Sequence, residues 1–253
     1  METCASLRDL AAASKRNGIA GGALPAAIDR IALPDPEIEA WLARLDLAAD
    51  QVSQYASLLS GDERLRADRF ALERDRRRFV VARGMLRLLL GIYLDMAPAA
   101  IAFGYAGNGK PFVADRPVPI HFNVSHAEER ALYAFSRSCA LGVDIEYLNR
   151  EVDYGALATR FFSRREHAEI QRCPAADRKR AFIACWTRKE AVVKAVGDGL
   201  PLPLDRFEVT VAPGTAPRIL DFGASAQRIS DWDLYALDVG SDYLATVAAY
   251  RGK

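Results

Sequence analysis

Two stretches of the chain repeat apolar residues with the spacing of an α-helix. The first is preceded by Ser60-Gly61-Asp62-Glu63, which has the spacing of a capping box at a helix start. Its apolar positions then form a helical stripe, namely Phe79, Ala82, Leu86, Leu89, Leu90 and Tyr93. This pattern predicts a helical region in two pieces from about 61 to 94.

The second stretch runs from Asp177 to Val196 and predicts a long helix that ends at Gly197. Another capping-box pattern, from Ser163 to Glu166, lies before it and indicates a further helix start. The segment 37–47 is ambiguous. Its apolar residues Ile38, Trp41, Leu42 and Leu45 have helical spacing, but the segment is short for a helix.

Short apolar runs separated by turn residues predict strands in the rest of the chain. Between 101 and 146 these runs are IAF, PFV, HFNV, ALYAF and LGVDIE, and further strands are predicted near 206–212, 232–239 and 243–250. The helices are segregated from the strands, without alternating βαβ units. We therefore predict an α+β fold with mainly antiparallel strands.

Composition narrows the classes of partner. The 253 residues include 34 Lys and Arg against 33 Asp and Glu, so the formal net charge of +1 does not favour a nucleic-acid or membrane partner. The most apolar stretch, around 79–94, contains Arg83 and Arg87, so no membrane span is expected. The N-terminus lacks the pattern of a secretory signal, and we expect a cytoplasmic protein.

Two carboxylates lie at alternate positions of one predicted strand. Asp144 and Glu146 in LGVDIE project from the same face, whereas Val143 and Ile145 point to the opposite one. Two adjacent carboxylates suit a hard divalent cation such as magnesium, which binds oxygen ligands. The alternative is an edge strand with its polar residues in solvent.

The long predicted helix contains three further candidates. Lys189 falls within the apolar stripe of Phe182, Trp186, Val193 and Val196, so its ammonium must either reach solvent along its own stem or meet a fixed anion. Glu190 and Lys194 lie beside that stripe, one turn apart. They form either an ordinary surface pair or a third carboxylate and a phosphate contact.

Three other segments could bind an anion. The segment 61–90 contains nine arginines and only five acidic residues. Most of these charges should be solvated or paired with neighbours. Lys110 lies between Gly109 and Pro111 in a turn that is either a plain hairpin loop or an anion contact. Ser125 and His126 end a predicted strand and could donate to a phosphate or cap a turn.

Taken together, four motifs resemble those of the 4'-phosphopantetheinyl transferases. They are N-G-K-P at 108–111, F-N-V-S-H at 122–126, G-V-D-I-E at 142–146 and W-T-R-K-E-A-V-V-K-A-V-G-D-G-L at 186–200. Their order and spacing are similar to the longer, Sfp-like subfamily, and the resemblance covers about 38–250. Ala127 departs from the family pattern, in which a hydroxyl residue often follows the Ser-His pair.

The resemblance implies an activity and a set of site residues. The family transfers the phosphopantetheine arm of coenzyme A to a serine of an apo acyl or peptidyl carrier protein and releases adenosine 3',5'-bisphosphate. By resemblance, Asp144, Glu146 and Glu190 bind magnesium, with manganese as the alternative. Glu190 and Lys194 are then the catalytic candidates. The implied coenzyme A contacts are Arg66, Arg78, Lys110, Pro111, Ser125, His126 and Lys194, with Arg83 as a weaker candidate.

The resemblance also implies an architecture. The family fold is a monomer of two similar α+β halves related by a pseudo-twofold axis, with coenzyme A in the cleft between them. We accordingly expect a mobile arm at 1–27, an N-terminal half at 28–138 and a C-terminal half with the metal site at 139–253. The resemblance favours a strand over a helix at 38–45.

Two other functions remain open at this point. The arginine-rich segment 61–90 could belong to a noncatalytic binder of RNA or another polyanion, although the net charge of +1 disfavours it. A different magnesium-dependent phosphoryl or nucleotidyl enzyme is the second alternative. If the transferase is correct, we expect part of the basic 64–78 face, including Arg74 and Arg77, to dock the carrier protein.

Overall fold

The computed structural model describes residues 25–107, 109–114, 120–197 and 202–252. Most of the predicted N-terminal arm, 1–24, therefore lies outside the described residues, as do Asn108 and 198–200 of the motifs above. At the end of that arm, Ala27 is buried, and its carbonyl accepts a hydrogen bond from the Arg44 N–H.

The described chain forms six α-helices, which are α1 (Ala49–Leu58), α2 (Gly61–Ala67), α3 (Glu73–Leu94), α4 (Tyr154–Phe161), α5 (Arg164–Arg172) and α6 (Arg178–Val196). The two-piece region 61–94 and the long helix to Val196 are confirmed. Both predicted capping boxes are present, because Glu63 accepts the Ser60 N–H and Glu166 accepts the Ser163 N–H, each at 2.9 Å. In the described helices, no segment is both long enough and apolar enough to cross a bilayer.

The strands are β1 (Ile28–Ile31), β2 (Ile38–Arg44), β3 (Phe103–Tyr105), β4 (Pro111–Val113), β5 (His121–Ala127), β6 (Arg130–Ser136), β7 (Ala140–Tyr147), β8 (Glu208–Val209), β9 (Ile219–Asp221), β10 (Trp232–Ala236) and β11 (Tyr243–Tyr250). They form sheets of order β1-β2-β6-β5, β10-β11-β7, β3-β4 and β8-β9. The pairings β5–β6, β7–β11, β10–β11 and β8–β9 are antiparallel, so the α+β class is confirmed. The ambiguous segment is strand β2, as the resemblance implied.

The described chain divides into two compact units. The first contains 25–29, 43–104 and 113–114, and the second contains 30–42, 105–112 apart from Asn108, 120–197 and 202–252. This division follows internal contacts and does not test the expected pair of similar halves with a boundary at 138, which stays a prediction.

The first unit has a buried ion cluster between its helices. Glu63 of α2 accepts hydrogen bonds from Arg83 and, at 2.6 Å, from Nε of Arg87, both on α3. The Arg87 guanidinium also donates to the carbonyls of Pro98 and Ile101, at 2.9 and 3.0 Å. Both oxygens of the Glu63 carboxylate and the Arg87 guanidinium therefore have hydrogen-bond partners, as buried charged groups require.

In the second unit, α6 packs directly on β7. A Cβ atom at Gly142 of β7 would lie 1.9 Å from the Ala191 carbonyl oxygen and 2.4 Å from the Ala195 N, so only glycine allows this approach. On the other face of β7, Val143 and Ile145 join a core with Leu132 of β6 and Val247 of β11. This alternation leaves Asp144 and Glu146 on one face of β7, as predicted from the sequence, and the structure shows that this face is toward α6.

Candidate active site

Three elements of the second unit surround a cavity of about 360 Å³. Strand β5 contributes Val124, Ser125 and His126, strand β7 contributes Asp144, Ile145 and Glu146, and helix α6 contributes Trp186, Glu190 and Lys194. The three carboxylates predicted from two separate motifs therefore line one cavity. The close crossing of α6 over β7 at Gly142 brings them there.

Asp144 lies at the centre of this group and is 3% exposed. Its Oδ1 accepts hydrogen bonds from the Ser125 hydroxyl at 2.9 Å and from the Lys194 ammonium at 2.6 Å. Its Oδ2 is buried and has no hydrogen-bond partner among the described residues. This burial rules out the alternative in which Asp144 projects into solvent. A buried carboxylate oxygen without a donor is costly, and a bound cation would satisfy it.

The pKa values of the other two carboxylates, Glu146 and Glu190, are also raised in this cavity. Burial, together with the charge of Asp144, raises the pKa of Glu146 to about 7. Burial and the Asp144 charge likewise raise the pKa of Glu190. Burial also raises the pKa of Asp144, in spite of its contact with Lys194. Three carboxylates that destabilise one another's charged forms are a suitable environment for a cation.

The donor set fits a hard divalent cation, since it consists of carboxylate oxygens with one oxygen unsatisfied. Across the described ranges, no group of three or more Asp, Glu, His or Cys side chains is arranged to hold a metal ion by itself. Magnesium seldom uses such a cage, because it keeps several waters and binds one or two carboxylates together with substrate phosphates.

Lys194 contacts a carboxylate on a different element from its own helix. Its ammonium lies 2.6 Å from Oδ1 of Asp144 and donates to the Ser125 hydroxyl at 3.1 Å. The surface-pair alternative for Glu190 and Lys194 therefore does not describe this lysine. Its charge is directed into the cavity, where a phosphate could also reach it.

The remaining anion candidates of this unit have different surroundings. His126 is exposed at the cavity mouth, whereas the Ser125 hydroxyl is already directed at Asp144. Pro111 begins β4. The Lys110 ammonium donates to two backbone carbonyls, those of Leu141 and Lys194. The predicted coenzyme A contacts of these residues stay predictions.

Arg66, Arg78 and Arg83 belong to the first unit. Arg66 is exposed, with its guanidinium 5.4 Å from the centre of the Phe79 ring. Arg78 donates two hydrogen bonds to Asp46, at 3.0 and 3.1 Å, and these lower the pKa of that carboxyl. Arg83 pairs with Glu63 and lies 3.9 Å from the Phe103 ring centre. Their predicted roles also stay predictions.

Two features of the site were not predicted from the sequence. Trp186 lines the cavity and packs edge-on against Phe161, with ring centres 5.8 Å apart. Its place one turn before Glu190 was the available signal, since both project from one side of the helix. The second feature is the amide of Asn123, whose Oδ1 accepts the Val143 N–H at 2.9 Å and ties β5 to β7.

The structure shows which of the two environments expected for the Lys189 ammonium, solvent or a fixed anion, is present. It is fully buried, and its ammonium lies 2.8 Å from Oε1 of Glu166. It also donates to the carbonyls of Leu204, at 2.7 Å, and Phe207. The lysine therefore meets a fixed anion and does not reach solvent along its stem. It joins α5, α6 and the segment before β8.

Comparisons with known proteins agree on one family. The model of the 4'-phosphopantetheinyl transferase superfamily matches residues 140–248. The model of the N-terminal part of 4'-phosphopantetheinyl transferases matches residues 46–137.

Individual relatives extend this agreement over most of the chain. The 4'-phosphopantetheinyl transferase HetI of Nostoc is 36% identical over 220 residues, which cover 86% of this chain and 90% of the relative. The transferase psf-1 of Bacillus pumilus is 32% identical over 73% of this chain and 74% of its own. Sfp of Bacillus subtilis is 29% identical over 64% of this chain and 71% of its own. The chain therefore belongs to the 4'-phosphopantetheinyl transferases, and within them to the Sfp-like type.

Proposed function

We propose that this protein transfers the 4'-phosphopantetheine group of coenzyme A to a serine of an apo acyl or peptidyl carrier protein. The serine oxygen forms a bond to the phosphorus that bears the pantetheine. The bond from that phosphorus to the adenosine phosphate breaks, and adenosine 3',5'-bisphosphate leaves. The observation that supports this most is the cavity lined by Asp144, Glu146, Glu190 and Lys194 in a chain of this family.

The proposed cation is magnesium, with manganese as the alternative, held by Asp144, Glu146 and Glu190. When bound, such an ion neutralises the diphosphate of coenzyme A and the charge on the departing bisphosphate. The unsatisfied Oδ2 of Asp144 and the raised pKa values of Glu146 and Glu190 support this assignment.

The protein's own side chains have separate roles in this scheme. Lys194 supplies a fixed positive charge in the cavity beside Asp144, where it attracts the diphosphate. Glu190 accepts the proton of the carrier serine, directly or through water. The burial that raises its pKa makes it a stronger proton acceptor than an exposed carboxylate.

The proposed coenzyme A contacts are Arg66, Arg78, Lys110, Pro111, Ser125, His126 and Lys194. Within the second unit, the position of His126 and Lys194 at one cavity supports a shared phosphate site. The further expectations of a monomer that acts in the cytoplasm come from the family resemblance and the sequence. Light scattering behind size-exclusion chromatography tests the first, and fractionation of the source cells tests the second.

The deciding experiment is intact-protein mass spectrometry of a panel of apo carrier proteins incubated with this protein, coenzyme A and magnesium. A gain of one phosphopantetheine that is lost with EDTA is the expected result, and the fastest carriers identify the pathway. Absence of the gain on every carrier, with folded protein and bound coenzyme A, would contradict the proposal.

A further inference from the structure

Lys110 is held by the protein backbone. Its ammonium donates to the Leu141 carbonyl of β7 at 2.9 Å and to the Lys194 carbonyl of α6 at 2.7 Å, and the residue is half-buried. The turn before it supports this placement, since Gly109 adopts a positive φ of 82° and the Ala106 N–H donates to the Lys110 carbonyl. One ammonium thus joins a strand and a helix that both contribute to the cavity.

The first carbonyl belongs to an edge strand. β7 is the outer strand in the order β10-β11-β7, so one of its two edges has no strand partner in that sheet. The Val143 N–H on this edge donates to Asn123 Oδ1, and the Leu141 carbonyl accepts from Lys110. Two side chains therefore satisfy backbone groups that an edge strand would otherwise leave unpaired.

The second carbonyl belongs to the last turn of α6. The helix ends at Val196, and Gly197 follows with a φ of 68°. The last four carbonyls of an α-helix have no partner within the helix, and their partial negative charge attracts a cation. The Lys194 carbonyl is one of these groups, so the Lys110 ammonium acts as a C-terminal cap of α6.

Both contacts lie beside the place where α6 crosses β7. The backbone of the helix at Ala191 and Ala195 touches Gly142, the residue after Leu141. Glu190 and Lys194 directly precede those two alanines, and Asp144 lies two residues beyond Gly142. Any change in this crossing therefore moves the carboxylates of β7 relative to the Glu190 carboxylate and the Lys194 ammonium.

We propose that Lys110 is a positioning residue that fixes the last turn of α6 against β7. It thereby holds Glu190 and Lys194 at the correct separation from Asp144. This role rests on the proposed function, because it concerns the site that binds the cation and the diphosphate. It differs from the contact with coenzyme A that the family resemblance implies for Lys110.

Lys110→Met tests the proposal through the affinity for Mn²⁺, measured by electron paramagnetic resonance on the full chain without coenzyme A or carrier. We expect about tenfold weaker binding, the size of effect that supporting residues have on metal sites. Removal of a positive charge near the site would by itself strengthen cation binding. A loss of affinity therefore identifies lost positioning.

Three companion measurements sharpen the test. Lys110→Arg keeps a cationic donor for both carbonyls and should recover most of the Mn²⁺ affinity. Lys179→Met removes a lysine from the first turn of the same helix and should bind Mn²⁺ like the wild type. Hydrogen exchange of the amides at 193–197 should be faster in Lys110→Met, because the last turn has lost its cap. Lys110→Gln takes the place of Lys110→Met if that variant does not fold.

The outcomes separate this proposal from the proposed function. Unchanged Mn²⁺ affinity and unchanged exchange in Lys110→Met, together with a higher KM for coenzyme A, would overturn the positioning role in favour of substrate contact. A wild-type protein that binds no Mn²⁺ even when coenzyme A is present would overturn the metal site itself, and the role of Lys110 in it. Weaker Mn²⁺ binding in Lys110→Met, together with a lower kcat, supports both the positioning role and the proposed function.

Discussion

The two oxygens of the Asp144 carboxylate have different partners. Oδ1 accepts from Ser125 and Lys194, whereas Oδ2 is buried without a donor in the described part of the chain. A carboxylate that is oriented through one oxygen can present the other to a cation without losing its geometry. This division explains how a lysine and a cation can share one aspartate.

Asp144→Asn should lower the rate of carrier modification by about 100-fold or more, because an amide is a poor ligand for a hard cation. Intact-mass kinetics at saturating magnesium measure the rate. Asp242→Asn is the matched control, since Asp242 is an exposed aspartate just before β11 in the same unit. Carrier modification at the full rate with unchanged magnesium dependence would show that the metal assignment is wrong.

Glu63 gives a prediction about stability and pH. Burial raises its pKa, but the hydrogen bonds from Arg87 and the Ser60 N–H and the charge of Arg83 outweigh burial, and the net pKa lies below its ordinary value of 4.5. The charged form is thus favoured in the folded state. Its contribution to stability is present above the unfolded pKa and is lost as pH falls through the lower folded value.

Glu63→Gln should lower the free energy of unfolding by about 3–5 kcal/mol near neutral pH, because Arg87 is then buried without a charge partner. The difference from the wild type should shrink as pH falls from the ordinary pKa of 4.5 through the lower folded pKa, because the wild-type carboxylate then takes up a proton. Urea unfolding across that range measures it. A difference that is constant with pH would assign the loss to packing.

At the scale of elements, the contact between α6 and β7 determines the site. Gly142→Ala should destabilise the protein by about 1–3 kcal/mol or more and weaken Mn²⁺ binding, because the new Cβ meets backbone atoms of α6 that cannot rotate away. Thermal unfolding and metal titration measure the two effects. Gly61→Ala is the control, since a Cβ there meets no atom within 4 Å. If both variants behave alike, the crossing does not control the site.

Elements with a strong local pattern could be predicted from the sequence. The apolar stripe and Gly197 identified α6, and the alternation of LGVDIE identified both β7 and the face that holds Asp144 and Glu146. Helix α1 was not predicted, although Val52, Tyr55 and Ala56 have helical spacing, because this stripe is short and only Tyr55 of the ten residues is buried. Strand β2 has helical spacing, and its pairing with β1 and with the distant strand β6 overrides that local pattern.

Partners of buried charges could not be predicted in the same way. The stripe around Lys189 showed that the lysine would be buried or would reach solvent, but its anion, Glu166, lies on another helix. Lys110 had the chemistry of a phosphate contact, yet its observed acceptors are carbonyls 31 and 84 residues away in the chain. Such pairings depend on tertiary structure, because any carboxylate or carbonyl could have been the partner.

For the whole molecule, the net charge of +1 conceals a local asymmetry. In the first unit, Asp68 and Asp75 pair with arginines of the same segment, and Glu63 is buried with Arg83 and Arg87. Arg64 and Arg69 have no carboxylate partner among the described residues. Exposed apolar side chains lie between these charges, namely Leu65, Phe70 and Leu72. A basic surface with apolar residues suits an acidic protein partner.

The expected carrier-docking face at 64–78 is best tested by reversing the charge of exposed arginines. Arg77 donates to the Leu47 carbonyl at 2.8 Å, so its reversal would also disturb packing, whereas Arg64 and Arg74 are exposed. Arg64→Glu with Arg74→Glu should raise the KM for carrier about tenfold and leave the KM for coenzyme A nearly unchanged. Steady-state kinetics with each substrate varied give both constants. A larger effect on coenzyme A would contradict carrier docking at this face.

The position of Trp186 has a spectroscopic consequence. Of the three tryptophans in the chain, Trp41 and Trp232 are buried, and Trp186 is half-buried at the wall of the cavity. We therefore expect the indole of Trp186 to have the most red-shifted emission of the three and to be the most accessible to a quencher such as acrylamide. Whatever enters the cavity excludes water from that ring. Occupancy of the site can thus be followed as a change in the emission of one native chromophore, with no label on the protein or the ligand.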